Sequence, residues 1–307
     1  MSLRVTDFKI AGRRFRFEVD DPKREYLTRS ARIDLFSVPV EEEADLTIRC
    51  KYDLGPADEH WFRDGGTFLG KFTDYRIIQS ADKRIFFDTS YEEMDAPHFL
   101  RRIYHQPRGI FQPDFTRGEI APKIKSPELD RSPYYLDDLL LREYVVNRLA
   151  LFGRAFLHSS QVNVNGRSVI FSAKSGTGKS TAGKMWTDMG YTLLNDECNA
   201  VFVENDTAMV STTPFVGEIR YTRAATNPLA AIIFLNQGSD NRIVPVDPIA
   251  AYARVLSNGI MPRYYKSSMD HILQTIGDVT DRVPCFDIHC TPDFRSVRAV
   301  LKLLETL

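Results

Sequence analysis

Strict alternation marks the first third of the chain. LRVTDFKI, RRFRFEV, ADLTIRC, YRIIQS and RIFFDTS switch between apolar and polar residues, or run β-branched and aromatic, with Gly, Asp and Pro between them. A period of two is the strand signature, so residues 1–105 predict a β-rich N-terminal domain. Residues 106–133 hold five prolines and little periodicity, which reads as a connector. From about Tyr135 to Phe156 apolar residues recur at helical spacing, and their Leu and aromatic content predicts a core-facing helix.

The rhythm changes again at Gln161. QVNV, then Asn165-Gly166, then RSVIFS predicts a β-hairpin, because the Asn-Gly pair accepts the positive φ angles of a two-residue turn. A glycine-rich stretch follows, then a helix from about Lys179 to Met189 that Gly190 should stop. YTLL, NAVFV, AMVST and LAAIIFL predict further strands, and PIAAYARVLS, SSMDHILQTI and FRSVRAVLKLLETL predict helices. Strands and helices mixed in this way give an α/β (α+β) expectation for a second domain over residues 134–307.

Composition narrows the class. The hydrophobic share is 43%, the charged share 26% and the formal net charge −1, so nothing pulls the chain toward nucleic acid or anionic lipid. The N-terminus MSLRVTDFKIAGRRFRF has no apolar signal region, and no run approaches the roughly 20 apolar residues of a membrane helix. A cytoplasmic protein is the simplest expectation. Cys285 and Cys290, with His289, are the only close thiols; no second ligand pair stands at zinc-like spacing, so idle thiols are expected.

The candidate chemistry lies in FSAKSGTGKSTAGKMW. Ala173 to Ser180, AKSGTGKS, fits the Walker A consensus in its Ala-first form. A strand running into such a loop and a helix leaving it converge backbone N–H groups and the positive helix end on one anion. Gly176 and Gly178 let the backbone curl without a side chain in the way. Lys179 supplies a mobile charge for β- and γ-phosphates, and Ser180 a hydroxyl for Mg2+. The nucleotide site is therefore expected over Lys174, Ser175, Gly176, Thr177, Gly178, Lys179, Ser180 and Thr181, with ATP and Mg2+ as cofactors.

The acids come early. YTLLNDE puts Asp196 and Glu197 at the end of the strand after the loop helix, where a strand–helix–strand path returns to the phosphates. Asp196 is the candidate for holding Mg2+ or taking the proton of an attacking hydroxyl. A turn-forming pair is the plainer alternative for an Asn-Asp sequence. In TPFVGEIRYTR, Glu218 beside Arg220 and Arg223 suits a metal-linked carboxylate with guanidinium clamps, or simply a salt-bridged surface strand. His158, in LHSSQV, follows an apolar stretch.

These residues bring out a resemblance. LHSSQVNVNGRSVIFSAKSGTGKSTAGKMWTDMGYTLLNDECNAVFV is similar to the nucleotide-binding core of the HPr serine kinase family. That group includes lasso-peptide kinases and is distantly similar to phosphoenolpyruvate carboxykinase. TPFVGEIR, PLAAIIFLNQGSDNRIVPV and VPCFDIHCTPD also resemble the relatives' segments, so the likeness spans roughly residues 150–307. It implies a P-loop-containing mixed sheet of the HPr kinase/carboxykinase type. Lys179 and Ser180 would hold phosphates and Mg2+, Asp196 would be the base, and Glu197 and Glu218 would help place the metal. Arg220 would lie near the transferring phosphoryl, and His158 beside the acid pair. Glu197 stands where these kinases usually have a second Asp, and Ser159 where a glycine commonly follows the histidine. Residues 1–130 do not resemble the N-terminal domain of the HPr enzymes, which points away from HPr as acceptor.

The leading expectation is thus an ATP- and Mg2+-dependent kinase acting on a hydroxyl, serine foremost, of a peptide, protein or small molecule. The alternatives are a nucleotide-responsive binding module with little turnover and a carboxykinase-like phosphotransferase. The last would call for a cationic pocket, for which Arg263 and Lys266 in MPRYYKSS are only surface-charge candidates. Relatives often form oligomers, so self-association stays open.

Overall fold

A computed structural model of the chain describes residues 3–20, 26–28, 32–51, 66–71, 76–88, 106–123, 134–136, 138–173, 178–217, 221–262 and 264–307. The fold is mixed α/β and divides into two compact units. The first comprises Met1–Lys9, Arg13–Arg29 and Ser37–Arg148; the second comprises Ile10–Gly12, Ser30–Phe36 and Leu149–Leu307.

Alternation in the first unit becomes a nine-stranded sheet among the described residues. Its order is Ser37–Val38, Arg4–Ile10, Arg13–Val19, Leu46–Cys50, Arg117–Lys123, Gln106–Phe111, Ile85–Asp88, Arg76–Gln79, Thr67–Lys71. One face of the central strands carries the cross-strand row Phe17, Ile48, Gly118, Phe111 and Ile85, all buried. The expected connector over 106–133 needs correction. Gln106–Phe111 and Arg117–Lys123 pair with each other and continue the sheet, while residues 124–133 lie outside the described set. Pro107 and Pro122 face each other in that pairing, so the prolines sit inside strands they were expected to interrupt.

The helix expected over Tyr135–Phe156 also differs. It runs Asp138–Ala150 and stops where Gly153 takes φ +67°, a left-handed angle that helices do not continue through. The next residues, Ala155–Val164, form a ten-residue strand, so AFLHSS belongs to the sheet. The Asn-Gly hairpin is present: Asn165 and Gly166 take φ of +53° and +83° between that strand and Arg167–Ser172. Asn163 Oδ1 accepts from the Gly166 N–H at 3.0 Å.

Two long strands organise the second unit. Ala155–Val164 pairs with Arg167–Ser172 and Thr192–Asn195 through its C-terminal half, and with Cys198–Glu204 and Gly259–Ile260 through its N-terminal half. Thr226–Gln237 runs parallel to Arg167–Ser172 and to Cys285–Cys290, and its N-terminal end pairs with Thr207–Thr212. Helices Pro248–Ser257 and Lys266–Thr280 bury Ala251, Val255, Ile272 and Ile276 in one core with Leu157, Ile170 and Ile232. A second core joins helices Lys179–Asp188 and Phe294–Leu304 to Val169, Phe171, Ile233 and Ile288.

The helix Lys179–Asp188 is held by its middle and its end. Trp186 is 2% exposed, with its ring 5.6 Å from Phe171 and 5.2 Å edge-on from Tyr191. Gly190, at φ +88°, donates to Thr187 O, and the Tyr191 N–H reaches back to Trp186 O at 3.0 Å, the paired closure of a glycine-stopped helix. Trp186→Ala is expected to lower the unfolding free energy by about 3–5 kcal/mol through the cavity it leaves. A denaturant titration followed by circular dichroism would check it.

Candidate functional site

Strand direction brings the candidate residues to one edge. Arg167–Ser172 and Thr192–Asn195 both run antiparallel to Ala155–Val164, which lies between them, so their C-terminal ends point the same way. The register sets Ser172 opposite Ser159 and Asn195 opposite Gln161. Two strand spacings are roughly 10 Å, so the start of the glycine loop and the acid pair flank His158 on the strand between. The neighbouring parallel strand Thr226–Gln237 places Phe234 beside Ser172.

Of the glycine loop, Lys174, Ser175, Gly176 and Thr177 lie outside the described residues. Its exit is described. Gly178 caps the helix at φ +108°, ψ +20°, a backbone angle that side chains disfavour, and no Cβ neighbour would crowd the position. Lys179 follows and is 7% exposed, with its Nζ donating to Ala173 O at 3.0 Å. Burial lowers the Lys179 pKa below the usual lysine value, and the negative charge of Glu197 works against that shift. The loop lysine therefore already feels one of the predicted acids. Ser180 is half-buried and Thr181 exposed in the first helical turn.

The acids sit at the tip of a side-chain-built turn. Asn195 is fully buried, and its Oδ1 accepts the N–H groups of Glu197 at 2.8 Å and Cys198 at 2.9 Å. The turn-forming character of an Asn-Asp pair is thus real and belongs to Asn195, which leaves the next two carboxylates to face the edge. Asp196 is 3% exposed, and its Oδ1 accepts the Gly217 N–H at 3.1 Å. The Nδ1 of His158 lies 3.2 Å from Glu197 Oε1. Main-chain bonds hold both ends of that contact: Ser159 N–H donates to Glu197 O at 3.0 Å and His158 N–H to Asn258 O at 3.0 Å.

A cation such as Mg2+ suits this set. A Cβ placed on Gly217 would stand 3.0 Å from Glu197 Oε2 and 3.1 Å from Asp196 Oδ2, so both carboxylates pack against the glycine and a side chain there would crowd them. Hard oxygen donors, one or two carboxylates with phosphates and water completing the shell, are what Mg2+ prefers. Among the described residues no three His, Cys, Asp or Glu side chains gather as a metal site.

The other candidates fall apart or lie outside. Glu218, Arg220 and Arg263 are beyond the described residues. Arg223 is exposed and joins the site through its backbone, with its N–H on Leu194 O. Lys266 forms a surface pair with Asp270 at 2.6 Å along one helix, so it builds no cationic pocket. Cys285 is buried and its thiol is pushed up to about 12 by burial, in keeping with an idle thiol. Sequence reading overlooked Asn195 and Gly217; the only signal was their place beside acids already singled out.

No protein-family model matches the chain, and no curated protein matches it. Among solved structures, the HPr(Ser) kinase/phosphatase from Coxiella burnetii is similar over 49% of this chain and 97% of its own length. The two share 11% sequence identity at a TM-score of 0.30. A likeness that slight leaves the chemistry to the residues themselves.

Proposed function

We propose that this chain is an ATP- and Mg2+-dependent kinase that passes the terminal phosphoryl group to a hydroxyl. Serine on a peptide or protein is the leading acceptor. The observation that carries the reading is the shared sheet edge of a buried loop lysine and the acid pair: the strands leading to Lys179 and to Asp196 end on the same side of Ala155–Val164, Lys179 and Asp196 are buried, and Glu197 is half-buried. The motif AKSGTGKS and its resemblance to the HPr serine kinases agree with that pairing.

In this reading Lys179 exchanges the Ala173 carbonyl for phosphate oxygens, which restores the solvation its burial removed. Ser180 and Glu197 would hold Mg2+, which would supply charge neutralisation on the phosphates. His158 keeps the Glu197 carboxylate turned toward the site. Asp196, fixed by the Gly217 N–H, receives the proton of the acceptor hydroxyl as its oxygen attacks the γ-phosphorus. The new P–O bond forms while the bond to the β-phosphate oxygen breaks, and ADP leaves. Catalysis is then mainly positioning and charge placement. Glu218 and Arg220 enter only as the family resemblance implies.

Removing the ammonium in Lys179→Ala is expected to weaken ATP binding about 10- to 100-fold, the value of one charge-assisted hydrogen-bonding group. Isothermal calorimetry measures it. Asp196→Asn keeps the shape and removes the base, so MgATP affinity should hold while transfer from γ-labelled ATP to acceptors encoded nearby drops about 100- to 10,000-fold. Unchanged transfer in both variants would show that the chemistry lies away from this edge. ATP binding without transfer to any acceptor would favour a nucleotide-responsive module instead.

A further inference from the structure

The side chain of Asn195 reaches further than the turn it closes. Its Nδ2 lies 2.9 Å from Thr213 O, 3.0 Å from Phe215 O and 3.0 Å from Thr222 Oγ1. Two amide hydrogens serve three acceptors, so one is shared. The Thr222 hydroxyl itself donates to Thr213 O at 2.9 Å, and a backbone bridge joins Asn195 to Thr222. One buried amide therefore ties the acid turn to chain on both sides of residues 218–220. Its orientation is fixed by its partners: carbonyls can only accept, and the N–H groups of Glu197 and Cys198 can only donate.

A second contact comes from the same stretch of chain. Gly217 stands two residues beyond Phe215, donates to Asp196, and is where an added Cβ would press on both carboxylates. The wall that the acids lean on is thus positioned by the residue preceding them. Asparagine is the side chain of this size that both donates and accepts in one plane. Aspartate would turn a carboxylate oxygen toward two carbonyls, and a hydrophobic residue would take a hydrogen-bond partner from five polar groups.

We infer that Asn195 is the positioning residue of this site: it fixes the acid turn against Gly217, so that Glu197 stands in the geometry that receives Mg2+. The inference rests on the kinase reading for what the geometry serves, and it acts on the metal rather than on the nucleotide loop. Supporting groups of this kind commonly change metal affinity about 10- to 100-fold.

The test compares ATP binding with and without Mg2+ in the full chain, by calorimetry, for wild type, Asn195→Ala, Gly217→Ala and Thr222→Val. The expected result is metal-free ATP affinity close to wild type in all three. The tightening of ATP binding by Mg2+ should be lost in Asn195→Ala and Gly217→Ala and reduced in Thr222→Val. Mn2+ alone, titrated by electron paramagnetic resonance, should bind about 10- to 100-fold more weakly to Asn195→Ala. If Asn195→Ala does not fold, the other two variants decide. Metal tightening that survives in them, or metal-free and metal-dependent binding falling together, overturns the inference. Wild-type protein that binds no ATP sinks the kinase proposal, and the Mn2+ titration then judges Asn195 by itself.

Discussion

Charge taken out of water must find a partner, and that requirement governs the edge where Lys179, Asp196 and Glu197 meet. An ammonium that is 7% exposed and a carboxylate that is 3% exposed cannot stand alone. The lysine rests on Ala173 O and the field of Glu197; the aspartate rests on a backbone N–H.

The sheet holds that edge in place. Ala155–Val164 is paired on both sides along its length, so His158 sits on backbone already fixed. The loop lysine opens a helix anchored by Trp186 and closed by Gly190. The side chains of Lys179 and His158 thus stand on backbone that the surrounding sheet and helix hold in place.

Much of this was legible in the residues. Asn165-Gly166 announced its hairpin because the turn demands positive φ, and Gly190 announced the helix stop for the same reason. The acid pair was readable because a strand–helix–strand path has few ways to return. Two local signals misled. AFL continues the apolar spacing of the preceding helix, and only Gly153, with its left-handed angle, separates it from the strand it belongs to. Prolines at 107 and 122 suggested a connector, yet they lie opposite each other within paired strands. Asn195 and Gly217 were hidden for a different reason. Their importance comes from partners more than ten residues away in sequence, such as Thr213 and Asp196, and no local pattern carries that information.

One irregularity in the sheet decides which side chain meets the edge. Between Val162 and Gln161 on the long strand the partner advances by two residues, from Leu193 to Asn195, so Leu194 is the extra residue of a bulge. Ordinary alternation would have turned position 195 to the other side of the sheet. Chain length across 192–195 is therefore a stricter quantity than its composition. Leu193 or Leu194 can be exchanged for another apolar residue, while losing or gaining a single residue there would rotate Asn195 out of its socket and carry both acids with it. Among descendants of this chain, gaps should be rarer at these four positions than replacements.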